Sequence, residues 1–125
     1  MAKTGSRRLR VLVADDDFDE ARSVAALLRS HGHDVLCVKH GADVLGTVAG
    51  FAPDALLVDI GLPQRSGYEI ARALRERYGS ARPLILAMNG AGVADPRAQS
   101  ADFDGQFTKP LESQKLLAAL CALLR

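Results

Sequence analysis

The sequence predicts an α/β fold, a doubly wound parallel sheet of five strands in the order 2-1-3-4-5. Three observations predict it. Short apolar runs alternate with segments of helical period along the whole chain, the pattern of successive βαβ units. The runs are continuously apolar rather than alternating, as strands covered on both faces must be. Asp15 and Asp16, Asp59 and Lys109 directly follow such runs, and open parallel sheets bind ligands outside the carboxyl ends of their strands.

Residues 9–14 form strand one. A helix from Asp17 to His31 sets Phe18, Ala21, Val24, Ala25 and Leu28 on one face, and Gly32 ends it. Residues 35–38 give strand two. Helix two runs over 42–49, weakened by Gly46, and Pro53 separates it from strand three at 55–58. The turn Gly61-Leu62-Pro63 closes that strand. Gly67 to Tyr78 is helix three through Ile70, Ala71 and Leu74; residues 84–88 are strand four, and Phe107 belongs to a short strand five. Glu112 to Leu124 is the last helix, apolar at Leu116, Leu117, Leu120 and Leu124. Right-handed crossovers set strands one and three side by side, which brings Asp15, Asp16 and Asp59 together.

A chain of 125 residues, 48% hydrophobic and 25% charged, fits one domain with a real core. The net charge of +1 supplies no field for nucleic acid, and the Arg7-Arg8…Arg10 cluster is too short for a binding arm. Cys37 and Cys121 form neither a metal spacing nor a disulfide framework, so they read as reduced, buried side chains in a cytoplasmic protein. No apolar stretch approaches the ~18 residues of a membrane span, and residues 1–8 lack the apolar run of a signal peptide. They read as a flexible lead-in to a domain over 9–125. His31, His33 and His40 fall around the end of helix one and strand two, away from the acidic residues.

Three carboxylates in one pocket repel unless their pKa values rise or a cation neutralises them. An all-Asp site without His or Cys suits a hard cation, Mg²⁺, which takes carboxylate and phosphate oxygens and retains waters. With Lys109 the charges then balance. A carboxylate beside a metal and a lysine can attack phosphorus, and Asp59, alone at its strand end, is the candidate nucleophile. Capping of helix one accounts for one or two of Asp15, Asp16 and Asp17 but not for Asp59, and Asp17 reads as a cap or partial ligand rather than a reacting group.

Val11-Leu12-Val13-Ala14-Asp15-Asp16-Asp17, then Leu56-Leu57-Val58-Asp59-Ile60-Gly61-Leu62-Pro63…Ser66-Gly67-Tyr68-Glu69, then Lys109-Pro110, together resemble the receiver domain of two-component response regulators. The resemblance covers nearly the whole chain and implies a flavodoxin-like fold. It implies that Asp59 accepts a phosphoryl group from a histidine kinase or histidine phosphotransfer protein, with no separate substrate turnover. Asp16 and Asp59 would bind Mg²⁺ directly, Asp15 through water, and Gly61 through its backbone carbonyl. Lys109 would pair with the phosphoryl oxygens, and the bond to Pro110 would be cis.

The chain departs from that family at two switch positions. Met88 stands where a Thr or Ser normally donates a hydrogen bond to the phosphoryl group, which Met cannot do. Gln106 stands where many members carry a switching aromatic residue. Asn89 is a substitute donor. Glycines 90 and 92 and Asp95-Pro96 predict a short, shifted or mobile helix after strand four, on the face that downstream partners read. A degenerate receiver acting as a phosphorylation-independent interaction module is the alternative. A phosphohydrolase built on Asp15-x-Asp17 lacks a cap insertion and a second acidic pair.

Overall fold

Leu12 pairs in register with Leu36 on one side and Leu56 on the other, and Leu56 pairs with Ile85, so the most apolar runs lie side by side in the middle of one sheet. The structure, a computed structural model, describes residues 8–62, 65–79, 82–90 and 102–123. Its elements are β1 (Arg10–Ala14), α1 (Phe18–Ser30), β2 (Asp34–Val38), a 3₁₀ turn (Gly41–Asp43), α2 (Val44–Phe51), β3 (Ala55–Asp59), α3 (Gly67–Tyr78), β4 (Leu84–Asn89), β5 (Gly105–Thr108) and α4 (Ser113–Leu123). All strands are parallel, in the order β2-β1-β3-β4-β5. The predicted fold class and strand order hold.

Successive side chains of a strand point to opposite faces, and both faces are covered. Val11, Val13, Leu57 and Leu86 pack with Val24, Leu28, Leu116 and Leu120 of α1 and α4. Leu12, Leu56, Val58 and Ile85 pack with Val44, Val48, Ile70 and Leu74 of α2 and α3. Burial on both faces explains the unbroken apolar runs.

The helix ends follow from their capping residues. Asp17 caps α1 by accepting the Glu20 N–H at 3.1 Å, and Ser66 caps α3 in a complete capping box with Glu69. Helix two differs from its expected span. The tight 3₁₀ turn at Gly41–Asp43 delays the α-helix to Val44, and it continues to Phe51.

Three expected burials are corrected. Phe18 is 54% exposed; as the first residue of α1 it projects beyond the core, and its ring lies under Arg22 and Lys39 instead. Cys37 and Cys121 are both exposed. Cys37 lies on β2, an edge strand with a neighbour on one side only, and Cys121 falls on the outward stripe of α4 between buried Leu120 and the chain end. Arg8 makes a two-pronged pair with Asp34, at 3.1 and 2.7 Å, and Arg10 Nε donates to the Phe51 carbonyl at 2.8 Å. Pro63, the Asp95-Pro96 step and Leu124 lie outside the described residues.

His33 ties strand one to the turn after α1. The Leu9 N–H donates to its Nδ1 at 3.1 Å, which requires the neutral ring, and burial followed by the charge of His31 lowers its pKa from 6.5. A lowered folded pKa means that the unfolded chain binds more protons below 6.5, so this contribution is present above that pH and lost as pH falls. Thermal unfolding should therefore show a larger fall in Tm from about pH 7.5 to about pH 5.5 for the wild type than for His33→Gln. An equal fall in both proteins would remove His33 as the source.

Candidate functional site

The pairing of Ala14 with Val58 places the next residues of β1 and β3, Asp15 and Asp59, at neighbouring carboxyl ends. Register thus makes the first contact of the site. Asp15 is 1% exposed; its Oδ1 accepts the Asp17 N–H at 3.0 Å and its Oδ2 accepts from Lys109 Nζ at 3.0 Å. Asp59 has the same arrangement: Oδ1 accepts the Gly61 N–H at 2.8 Å and Oδ2 accepts from Lys109 Nζ at 2.8 Å. Asp16 is exposed, yet one carboxylate oxygen from each of Asp15, Asp16 and Asp59 lies within 4.8 Å of the others. Among the described residues no other group of three His, Cys, Asp or Glu side chains is so arranged.

Lys109 comes from the far side of the sheet, since β4 separates β5 from β3. Its backbone N–H donates to the Asn89 carbonyl at 2.9 Å, pinning the end of β5 to the end of β4. The Lys109-Pro110 bond is cis. Burial works against the ammonium, but hydrogen bonds to Asp59, Glu20 and Asp15 outweigh it and raise the Lys109 pKa above its ordinary value. For Asp15 the balance is reversed. Burial pushes its carboxyl up to about 6, although the Asp17 N–H and Lys109 both favour the anion.

Three residues expected at an atypical switch, Met88, Asn89 and Gln106, lie on β4 and β5. Met88 is opposite Asp59 across β3 and β4, wholly buried with the α1 and α4 core. Asn89 is buried and pairs in register with Thr108, while Gln106, half-buried, pairs with Ala87. His31 and His40 are exposed, and His33 bonds Leu9. None of the three belongs to the acidic cluster.

The sequence pattern did not single out one member of the cluster. Glu20 Oε1 lies 2.7 Å from Lys109 Nζ, with its side chain 21% exposed. Its spacing from Asp17, cap and third helical residue, is a capping-box signal that would have directed attention to it.

Chemically, the cluster offers a carboxylate with one oxygen on a backbone amide, a lysine against its second oxygen, and neighbouring oxygens suited to a hard cation. A family model described as "Response regulator receiver domain" matches residues 11–121. The chain belongs to this family. The receiver is 32% identical over 117 residues to the response regulator MprA of Mycobacterium avium, an alignment covering 94% of this chain and 51% of that protein. Receiver and relative therefore differ in extent: the chain spans about half the length of the curated relatives it matches.

Among solved structures, a putative response regulator from Chloroflexus aurantiacus superposes with a TM-score of 0.83 at 27% identity, covering 94% of this chain and 98% of that one. The receiver domain of a sensor histidine kinase from Pseudomonas aeruginosa gives 0.83 at 24% identity, covering 94% and 98%; its active-site cleft coordinates a magnesium ion. The second match shows the shared fold. As a response regulator receiver, the chain is a two-component signalling module, of a family that interacts with histidine kinases. No helix among the described residues is long and apolar enough to cross a membrane.

Proposed function

We propose that the receiver takes a phosphoryl group on Asp59, in a Mg²⁺-dependent reaction, from the phosphohistidine of a histidine kinase or phosphotransfer protein. The observation that carries this reading is the Asp59 carboxylate itself, set between the Gly61 N–H and Lys109 and within 4.8 Å of Asp15 and Asp16 oxygens. An exclusively carboxylate and carbonyl donor set fits Mg²⁺. Asp16 and Asp59 would hold it directly, Asp15 through water, and Gly61 through its carbonyl; the ion would neutralise charge on the transferring phosphoryl oxygens.

A carboxylate oxygen of Asp59 forms a bond to phosphorus while the bond from phosphorus to the donor nitrogen breaks. The imidazole leaves with the electron pair and takes up a proton. The Gly61 N–H steadies the oxygen that does not attack, which aims the other. Lys109 is the cation available to the phosphoryl oxygens, and Asp15 keeps its ammonium at the site. Met88 supplies no hydroxyl and Gln106 no aromatic ring, so modification proceeds while its conformational consequence differs from that of hydroxyl-bearing relatives. Asn89 is the amide nearest along the chain to substitute as donor. The face after β4 is the proposed docking place for a downstream partner; most of it, residues 91–101, lies outside the described residues. The protein acts in the cytoplasm, with no substrate turnover beyond its own phosphorylation.

Intact mass after incubation with Mg²⁺ and acetyl phosphate tests the reading. One added phosphoryl group is expected in the wild type, and none without the metal or in Asp59→Asn. Absence of any adduct in the wild type would overturn it in favour of an interaction module, whereas an adduct that persists in Asp59→Asn would move the acceptor elsewhere.

A further inference from the structure

An ammonium has three protons to donate, and Lys109 has three carboxylate partners: Asp15 at 3.0 Å, Asp59 at 2.8 Å and Glu20 at 2.7 Å. Every donor of the lysine is therefore engaged before any phosphoryl group arrives. When Asp59 Oδ2 bonds to phosphorus, the donor it held turns to one phosphoryl oxygen; a second phosphoryl oxygen gains the lysine only if Asp15 or Glu20 yields. Asp15 is poorly suited to do so, because its carboxylate is buried and its other oxygen is held by the Asp17 N–H. Glu20 is the more exposed of the two, and water can solvate it on release.

Local structure explains why Glu20 reaches Lys109. In α3 the corresponding residue, Glu69, turns back and accepts the N–H of its cap, Ser66, at 3.0 Å. In α1 the cap is Asp17, whose N–H already donates to Asp15 Oδ1. The reciprocal half of a capping box is thereby taken, and the Glu20 carboxylate extends to the lysine instead. Asp17 still fixes the start of the side chain by accepting the Glu20 N–H. Asp19, on the same first turn, is exposed.

We infer that Glu20 is a positioning residue, holding the Lys109 ammonium in its resting place and competing for it with the phosphoryl group. This rests on the reading of Asp59 as phosphoacceptor. The competition has two consequences of opposite sign. Glu20 adds negative charge near the Asp15, Asp16 and Asp59 oxygens, which favours a divalent cation; the same charge opposes an anionic phosphoryl group and occupies a donor that a second phosphoryl oxygen would take. Loss of the charge should weaken Mg²⁺ binding and strengthen phosphoryl binding.

The probe is beryllium fluoride, which forms a phosphoryl-like adduct on a carboxylate, titrated at saturating Mg²⁺ and followed by amide NMR. Mg²⁺ alone is titrated separately. Glu20→Gln, which keeps the side-chain shape, is expected to bind beryllium fluoride about fivefold more tightly, the upper end for one part-exposed ion pair. It should bind Mg²⁺ more weakly, and Glu20→Ala should give the same two signs. Asp19→Asn should leave beryllium fluoride affinity within about twofold. A structural defect would weaken both ligands. Unchanged or weaker beryllium fluoride binding in Glu20→Gln, with binding abolished by Asp59→Asn, overturns the competition and leaves the phosphoacceptor standing. Equal tightening in Asp19→Asn also overturns it, since a diffuse field would suffice. No binding by the wild type overturns the phosphoacceptor reading and this inference with it.

Discussion

Lys109→Ala is expected to lose about 3 to 5 kcal/mol of folding stability at neutral pH, the cost of removing one partner from a buried charged cluster. The lysine side chain is only 13% exposed and touches Asp15, Asp59 and Glu20. Without it the Asp15 carboxylate, 1% exposed, keeps only the Asp17 N–H. Asp59 keeps the Gly61 N–H, but their mutual repulsion is no longer offset.

The sign of the pH dependence follows. The Asp15 carboxyl already sits near 6 in the fold against 3.8 ordinarily, so between those values the folded chain binds more protons than the unfolded one. Its contribution therefore falls as pH rises through that window. Removing Lys109 removes an influence that favours the anion, so the deficit should be largest at neutral pH and shrink on acidification. Urea unfolding of Lys109→Ala against the wild type, at about pH 7.5 and about pH 5.5, measures this. The double variant Asp15→Asn, Lys109→Ala should recover much of the loss, because a neutral amide at that position needs no counter-ion. A deficit that grows on acidification, or no recovery, would contradict an unpaired Asp15 carboxylate as the cause.

Gly41→Ala should cost about 3 kcal/mol through overpacking against backbone. A Cβ at Gly41 would collide with the Arg65 carbonyl oxygen and stand 2.9 Å from Arg65 Cβ and 3.0 Å from its carbonyl carbon. These atoms cannot swing aside as a side-chain tip can. Arg65 directly precedes Ser66, the cap of α3, and that cap is locked by Glu69. The strain therefore falls on the residue that leads directly into the α3 cap. Gly46 is the control: it lies within α2, and nothing stands within 4 Å of its Cβ position. Gly46→Ala should stabilise by about 0.5 to 1 kcal/mol through helix propensity. Thermal or urea unfolding of both variants checks the contrast, and a neutral Gly41→Ala would show that the approach to Arg65 is soft.

The strands were legible because burial on both faces leaves a local mark, an unbroken apolar run, and each run is closed by a charged residue or a turn signal. Helix three was legible from Gly67 to Tyr78 because Ile70, Ala71 and Leu74 keep a 3.6-residue period. Helix two was displaced because its start depends on the 3₁₀ turn at Gly41–Asp43, where Gly41 abuts Arg65, a residue distant in sequence. Phe18 and Cys37 were misread because periodicity tells which face a residue is on but not whether anything covers that face. Phe18 lies at a helix end and Cys37 on an edge strand.

The site divides in the same way. Asp15, Asp16, Asp59 and Lys109 could be named from the chain because each belongs to a strand end, and strand ends follow from local patterns of hydrophobicity. Their electrostatics could not be read there. Lys109 bonds Asp15 across 94 positions of sequence, Asp15 is pushed up because neighbouring elements close over it, and Glu20 joins the lysine because the cap amide it would otherwise accept is already held by Asp15. Hydrogen bonds and charge interactions depend on separations of a few ångströms, and distances that short are settled by how the sheet and α1 pack.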